Sequence, residues 1–278
     1  MKCVVSGGTG FLGRHIADRL RRDAHEVTVW GRKLQFDATS DFDAVISLAG
    51  EPVAQRWNSE VKRRIRDSRV LGTCNLVDAI SSLPRKPRVL VSASAVGYYG
   101  NRGEQILTES SGPGQGFLAD TCQSWEAEAD RAAALGIRVM KLRIGFVLGK
   151  DGGALAQMLP AFRAFAGGHL GDGSQWMPWI HIEDVAELFA YPLENETSGV
   201  WNATSPNPVR NLEFTHELGA ALGRPTLVPV PSFALKLMFG ELAQHMLDSS
   251  RVVPEAALQA GFRFRYPEIG PALKNLVA

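Results

Sequence analysis

The chain has 278 residues, of which 45% are hydrophobic, and its 30 Lys and Arg nearly balance its 29 Asp and Glu. That length suits one large α/β domain with an appended lobe and a substantial core. A formal net charge of +1 leaves no overall field to attract nucleic acid, a membrane surface or a polyanion, so charge is informative only locally.

Residues 2–6, 26–30, 44–48, 88–92 and 138–144 are short runs rich in Val, Ile and Leu with little polar alternation, the pattern of parallel strands covered on both faces. Between them, residues 11–22, 60–82 and 116–135 carry apolar side chains at the spacings of three and four that mark amphipathic helices. The alternation predicts right-handed βαβ crossovers and so an α/β fold, a Rossmann-type doubly wound parallel sheet. The rhythm changes near residue 150: Gly167-Gly168, Gly171-Asp172-Gly173 and the proline-rich stretch 204–231 predict a smaller C-terminal lobe over 151–278. Within it 182–194 reads as a helix and 200–203 as a strand. The chain is therefore expected to re-enter the main sheet around 179–203, ahead of a helical segment over 229–278. Cys3, Cys74 and Cys122 lie far apart, which predicts reduced thiols and neither a disulfide framework nor a metal site. No apolar run reaches about 18 residues and the chain opens directly on a strand pattern, so neither a membrane span nor a signal peptide is expected, and the predicted location is the cytoplasm.

The most informative segment is Ser6-Gly7-Gly8-Thr9-Gly10-Phe11-Leu12-Gly13, which follows a predicted strand and opens a predicted helix. In this context Gly7 permits the tight turn, Gly10 lets the backbone approach a diphosphate without a Cβ in the way, and Gly13 lets the helix pack closely on the strand. The N–H groups at the helix start favour the anion. Residues 1–150 are thus expected to bind a dinucleotide. The tip of the second strand reads Val29-Trp30-Gly31-Arg32-Lys33 and lacks the acid, about 20 residues after the glycines, that would hold a ribose 2′-hydroxyl. Arg32 offers a planar fork for a 2′-phosphate, so NADP is the expected cofactor, with Lys33 adding a less directional charge.

From these residues the sequence resembles the atypical extended short-chain dehydrogenases/reductases, the group described as NAD-dependent epimerase/dehydratase-like or cell-division-inhibitor-like. The resemblance covers essentially the whole chain. Its matching segments are Ser6 to Gly13, Leu48-Ala49-Gly50-Glu51-Pro52, Arg56-Trp57, Ser68-Arg69 with Thr73, Ser92 to Gly100, Trp125-Glu126, Arg143 to Gly149, Trp179-Ile180-His181 with Asp184, Asn202-Ala203-Thr204 with Pro206-Asn207-Pro208, and Gly261-Phe262. The resemblance implies cofactor contacts at Gly7, Thr9, Gly10, Phe11, Leu12, Gly13, Gly31 and Arg32. It implies others at Leu48, Ala49 and Gly50 beside the adenosine half, at Arg69 and Ser92, and at Val147 near the nicotinamide end. It also implies a Ser, a Tyr and a Lys four residues later, the Lys lowering the Tyr pKa for proton exchange. Ser94 fits the Ser, but counting from Glu126 puts Leu118 and Cys122 in the Tyr and Lys places. Tyr99, or Tyr98, is then the candidate stand-in acid, and His181 a further titratable group or simply a cap of the helix that follows. The expected function is an NADP(H)-binding oxidoreductase or epimerase-like protein acting on a small molecule in the cleft between sheet and lobe. The alternative is a non-catalytic NADP(H)-binding sensor or regulatory protein. No nucleic acid or membrane partner is expected, and a homodimer stays open.

Overall fold

The computed structural model describes residues 1–31 and 40–278. The chain begins with β1 (Lys2–Ser6), α1 (Phe11–Arg22), β2 (Glu26–Trp30), β3 (Ala44–Ser47), α2 (Ser59–Ser82) and β4 (Val89–Ala95). It continues through a 3-10 turn (Val96–Tyr99), β5 (Ile106–Leu107), α3 (Phe117–Asp130), a second 3-10 turn (Arg131–Leu135), β6 (Arg138–Ile144), β7 (Phe146–Gly149) and α4 (Gly153–Arg163). Then come β8 (Trp176–Met177), β9 (Trp179–His181), α5 (Ile182–Glu194), β10 (Gly199–Ala203), β11 (Val209–Arg210) and α6 (Asn211–Leu222). The last elements are α7 (Ser232–Phe239), α8 (Leu242–Met246), β12 (Arg251–Val252), α9 (Glu255–Gln259) and α10 (Ile269–Val277).

Among the described residues the main sheet has six parallel strands in the order β10-β6-β4-β3-β1-β2. From β1 the chain moves outward to β2, then returns across β1 to lay down β3 on the other side. The reversal between β1 and β3 opens a crevice at the carboxyl ends of the strands, where α/β sheets bind ligands.

Side-chain alternation along the buried strands divides the core in two. Val5, Ile46, Val91 and Leu142 pack with Ile16 and Leu20 of α1 and Leu188 and Phe189 of α5 on one face. Val45, Leu90 and Val139 meet Leu76, Val77 and Ile80 of α2 and Ala129 of α3 on the other. Ser94 and Arg143 have the same parity as Leu90 and Val139, so they point toward α3.

β10 returns the chain to the main sheet beside β6, in the register Asn202 opposite Arg143. The smaller elements gather beyond it: β7 pairs with β9, β8 with β11, and β12 with β5. The expected helix over 116–135 stops at Asp130 and tightens to a 3-10 turn before Gly136, whose φ of +76° closes it. The helical segment over 229–278 is four short helices separated by turns.

Candidate functional site

The glycine turn after β1 is built as the sequence requires. Gly7 has φ +77°, and a Cβ there would stand 2.7 Å from the amide nitrogen of Ala49. The turn therefore rests directly on the Leu48-Ala49 peptide at the end of β3, which only glycine allows. A Cβ on Gly13 would fall 2.4 Å from the Gly7 carbonyl, so this glycine sets the close seating of α1 on the strand. Gly7 and Gly8 donate to the carbonyls of Gly31 and Trp30 at 3.4 and 3.0 Å, tying the turn to the tip of β2.

Gly10 differs from these two. It is exposed, its backbone is extended, and a Cβ would meet only the Gly7 carbonyl at 3.3 Å, leaving open space over the start of α1. Among the described residues no side chain caps this helix, and the N–H groups of Phe11 and Leu12 in its first turn have no carbonyl partner. Unfilled donors at a helix start beside a space without side chains suit an anionic diphosphate, so the residues present fit a dinucleotide. Arg32 and Lys33 lie outside the described residues.

Phe11 turns its ring away from this opening. A Cβ on Gly149, Gly152 or Gly153 would lie 2.5, 2.4 or 2.9 Å from the Phe11 ring, so these three glycines form a socket joining the turn to the start of α4. Val147 precedes the socket, half-buried on β7 opposite Ile180.

Two of the cofactor candidates are placed facing protein. The Arg69 guanidinium lies under Gly50, donates from one nitrogen to the carbonyls of Glu51 and Ile65 at 3.0 and 3.1 Å, and sits 5.4 Å from the Trp125 ring. Burial holds its pKa below the ordinary arginine value. Arg69 thus organises the loop after β3. Ser92 is buried within β4, its hydroxyl against the Ala93 carbonyl at 3.2 Å.

Ser94, at the end of β4, donates to Glu126 Oε1 at 2.6 Å. The Glu126 carboxylate also receives Nε and Nη2 of Arg143 at 2.8 and 2.9 Å, a two-pronged pair with side chains only 8% and 5% exposed. Burial alone would lower the Arg143 pKa, but the bonds to Glu126 raise it further and hold the charge firmly. The third nitrogen of Arg143 donates to the Tyr99 hydroxyl at 3.0 Å, and its guanidinium lies 3.4 Å from the Tyr98 ring centroid. The Tyr99 hydroxyl lies 2.7 Å from Asn202 Oδ1 and 3.0 Å from the Thr108 carbonyl. Asn202 continues to the Val253 carbonyl at 2.9 Å, and its N–H donates to Glu109 at 2.8 Å. Tyr99 is fully buried and burial raises its pKa; its hydroxyl ties the turn after β4 to β6 and β10.

Composition and spacing did not assign the Glu126–Arg143 pair a role, although a signal exists. Arg143 lies near the end of a strand expected to be covered on both faces, and an arginine buried there needs a partner.

Leu118 and Cys122, at the places counted from Glu126, both face protein. Leu118 packs against Gly97 and belongs with Phe117, Val53, Phe239 and Met246 to the apolar cluster around Trp57, Val61, Ile65 and Leu242. Burial pushes the Cys122 thiol up to about 11, and its sulfur lies 3.6 Å from the Ala95 carbonyl. His181 is buried, its Nδ1 accepts the Glu183 N–H at 3.1 Å to cap α5, and burial lowers its pKa to about 4. The Asp184 carboxylate accepts the N–H groups of Arg265 and Tyr266 at 2.7 and 3.0 Å.

A dinucleotide-ready glycine turn at the switch point of a parallel sheet, with Ser94 at the end of β4, defines a Rossmann-fold protein of the short-chain dehydrogenase/reductase class. The chain belongs to the NAD-dependent epimerase/dehydratase family, whose profile matches residues 3–204; a domain of unknown function matches residues 230–276. It is 42% identical over its whole length to the chloroplastic SDR39U1 homologue of Arabidopsis thaliana, an epimerase family protein, and covers 87% of that protein. The crystal structure of human epimerase family protein SDR39U1 with NADPH superposes with a TM-score of 0.94 at 35% identity, covering 99% of each chain. Thermus thermophilus UDP-glucose 4-epimerase, in complex with NAD, shares the fold at 20% identity and a TM-score of 0.78. Among the described residues no helix is long and apolar enough to cross a membrane.

Proposed function

We propose that this protein is an NADP(H)-dependent oxidoreductase or epimerase-like enzyme, acting on a small molecule in the cleft between the sheet and the lobe over 151–278. The observation that carries the reading is the open, donor-lined start of α1 beside Gly10, backed by the NADPH in the human relative. In that cleft Gly7, Gly10, Phe11 and Leu12 hold the diphosphate, Leu48 to Gly50 flank the adenosine half, and Val147 borders the nicotinamide end. Arg32 is assigned the 2′-phosphate from the sequence alone. When bound, the cofactor supplies or removes a hydride. The chain's own part is to orient the substrate, keep water out and move a proton. Ser94 is the group assigned to the substrate oxygen, rotating from Glu126 to do so. Unpaired Cys3, Cys74 and Cys122 suit a reducing compartment, and the cytoplasm is the assigned location.

A second reading rests on a specific observation: with Leu118 in an apolar cluster, Cys122 a buried thiol and Tyr99 buried, the usual proton route is missing, which favours an NADP(H) sensor without turnover. Calorimetry with NADPH and NADH tests the shared part. Arg32→Ala should weaken NADPH by about 1.5–3 kcal/mol and NADH far less; equal losses would remove the 2′-phosphate assignment. Oxidation of NADPH with a panel of carbonyl compounds separates the two readings. Turnover that falls in Ser94→Ala supports the enzyme, and binding with no turnover supports the sensor.

A further inference from the structure

Residues 225–239 form an unusual stretch of surface. They include a single charged side chain, Lys236, yet most of them are exposed. The six most exposed large apolar side chains among the described residues are Phe165, Leu227, Val228, Phe233, Leu237 and Met238, at 60% to 85%. Five of the six lie in this stretch. Monomeric proteins seldom gather so many on one face.

Backbone contacts hold these side chains together. The Val230 N–H donates to the His169 carbonyl at 2.8 Å and the Gly171 N–H to the Val230 carbonyl at 3.0 Å, so 228–230 runs beside 168–171. Gly168 permits the approach, since a Cβ there would fall 1.6 Å from the Val228 carbonyl. Phe165 joins at the other end, its ring 4.5 Å from the Arg224 guanidinium. Then α7 begins at Ser232. The side chain it buries is Leu235, and at about 100° per residue Phe233 and Leu237 stand on the opposite pole, with Lys236 about a quarter-turn off it. The far end of α7 is anchored, because the Trp57 N–H donates to the Phe239 carbonyl at 3.3 Å and the Phe239 ring packs in the cluster around Trp57. None of the six side chains lines the open cavity of about 470 Å³ between 101–104 and 171–175.

At these exposures the six side chains offer on the order of 600 Å² of apolar surface. A homodimer of ordinary size buries about 800 Å² per chain, about 65% of it apolar, which is about 500 Å². The face is therefore large enough for a second copy, and its near absence of charge matches the centre of a homodimer interface. A bilayer surface would call for Lys and Arg along the flanks, whereas 225–239 has one Lys and no Arg.

We propose that this face, centred on Phe233 and Leu237 of α7, joins two copies of the chain in a twofold-symmetric dimer. Each apolar face meets its own equivalent, so the assembly closes at two chains with both faces covered. The dimer does not depend on whether NADP(H) is turned over.

Sedimentation velocity of the full chain over about 1–100 μM should show a species of twice the 30.2 kDa chain mass. Phe233→Asp and Leu237→Glu each put a carboxylate into the interface twice, and each should raise the dimer Kd by at least about 100-fold with the circular-dichroism spectrum unchanged. Leu71→Glu, at an exposed apolar position of α2, should leave the dimer intact. In wild-type protein the amides of 225–239 should exchange with deuterium more slowly at about 100 μM than at about 1 μM, a readout that needs no variant. Wild-type protein that stays a single chain at about 100 μM overturns the proposal; if that monomer floats with phosphatidylcholine–phosphatidylserine vesicles, the face belongs to a bilayer. A dimer that survives both α7 substitutions, or one that Leu71→Glu dissociates while exchange over 225–239 is insensitive to concentration, overturns it as well.

Discussion

Arg143→Met probes the buried network most directly. The substitution preserves the stem in the core but removes three donated bonds, two to Glu126 and one to Tyr99. Glu126 is left as a carboxylate whose one remaining donor among the described residues is the Ser94 hydroxyl, at a site where the side chains are 8% and 5% exposed. Breaking a buried pair at one partner costs about 3–5 kcal/mol, because the other charge stays desolvated. At about 2 °C per kcal/mol for a chain of this size, the melting temperature should fall by roughly 6–10 °C. The exposed pair Arg64–Glu60, at 2.9 Å with side chains 44% and 66% exposed, is the control: Arg64→Met should cost less than about 0.5 kcal/mol. Urea unfolding at pH 7 measures both. The double variant Glu126→Met with Arg143→Met should be less destabilised than Arg143→Met alone, since no orphan carboxylate remains. A single-variant loss under about 1 kcal/mol, or a double variant worse than the single, would refute the reasoning.

Gly10→Ala should fold with its melting temperature within about 2 °C of wild type yet bind NADPH at least about tenfold more weakly, about 1.4 kcal/mol, whereas Gly7→Ala should lose stability because its Cβ meets the Ala49 backbone. Gly152→Ala should destabilise by about 1–3 kcal/mol through the Phe11 ring, as measured by urea unfolding, and a smaller residue at position 11 should relieve much of that cost. Burial depresses the His181 pKa from its ordinary 6.5 to about 4, so the unfolded chain binds the extra proton between those values. Stability from His181 is therefore present above about pH 6.5 and is lost as pH falls toward about 4, by up to about 3 kcal/mol in all. In His181→Asn, which retains a capping side chain, stability measured at pH 7, 6 and 5 should fall less steeply than in wild type.

The sheet strands, the helices that flank them and the glycine turn are legible in one dimension, because each depends on local rules. Continuous apolar runs mark buried strands, three-and-four spacing marks helices, and a glycine turn between the two patterns has few other uses. The partners of the polar residues emerge only in the fold. In one dimension Arg69 and Tyr99 carry no sign of their protein partners. In the fold, Arg69 lies under Gly50 and beside Trp125, and Tyr99 is held by Arg143, Asn202 and the Thr108 carbonyl. The pairing of Glu126 with Arg143 crosses from α3 to β6, and Asn202 reaches Tyr99 across more than a hundred residues. A polar side chain's role depends on which partners fill its hydrogen-bonding capacity and whether water can reach it, and both are set by segments remote in sequence.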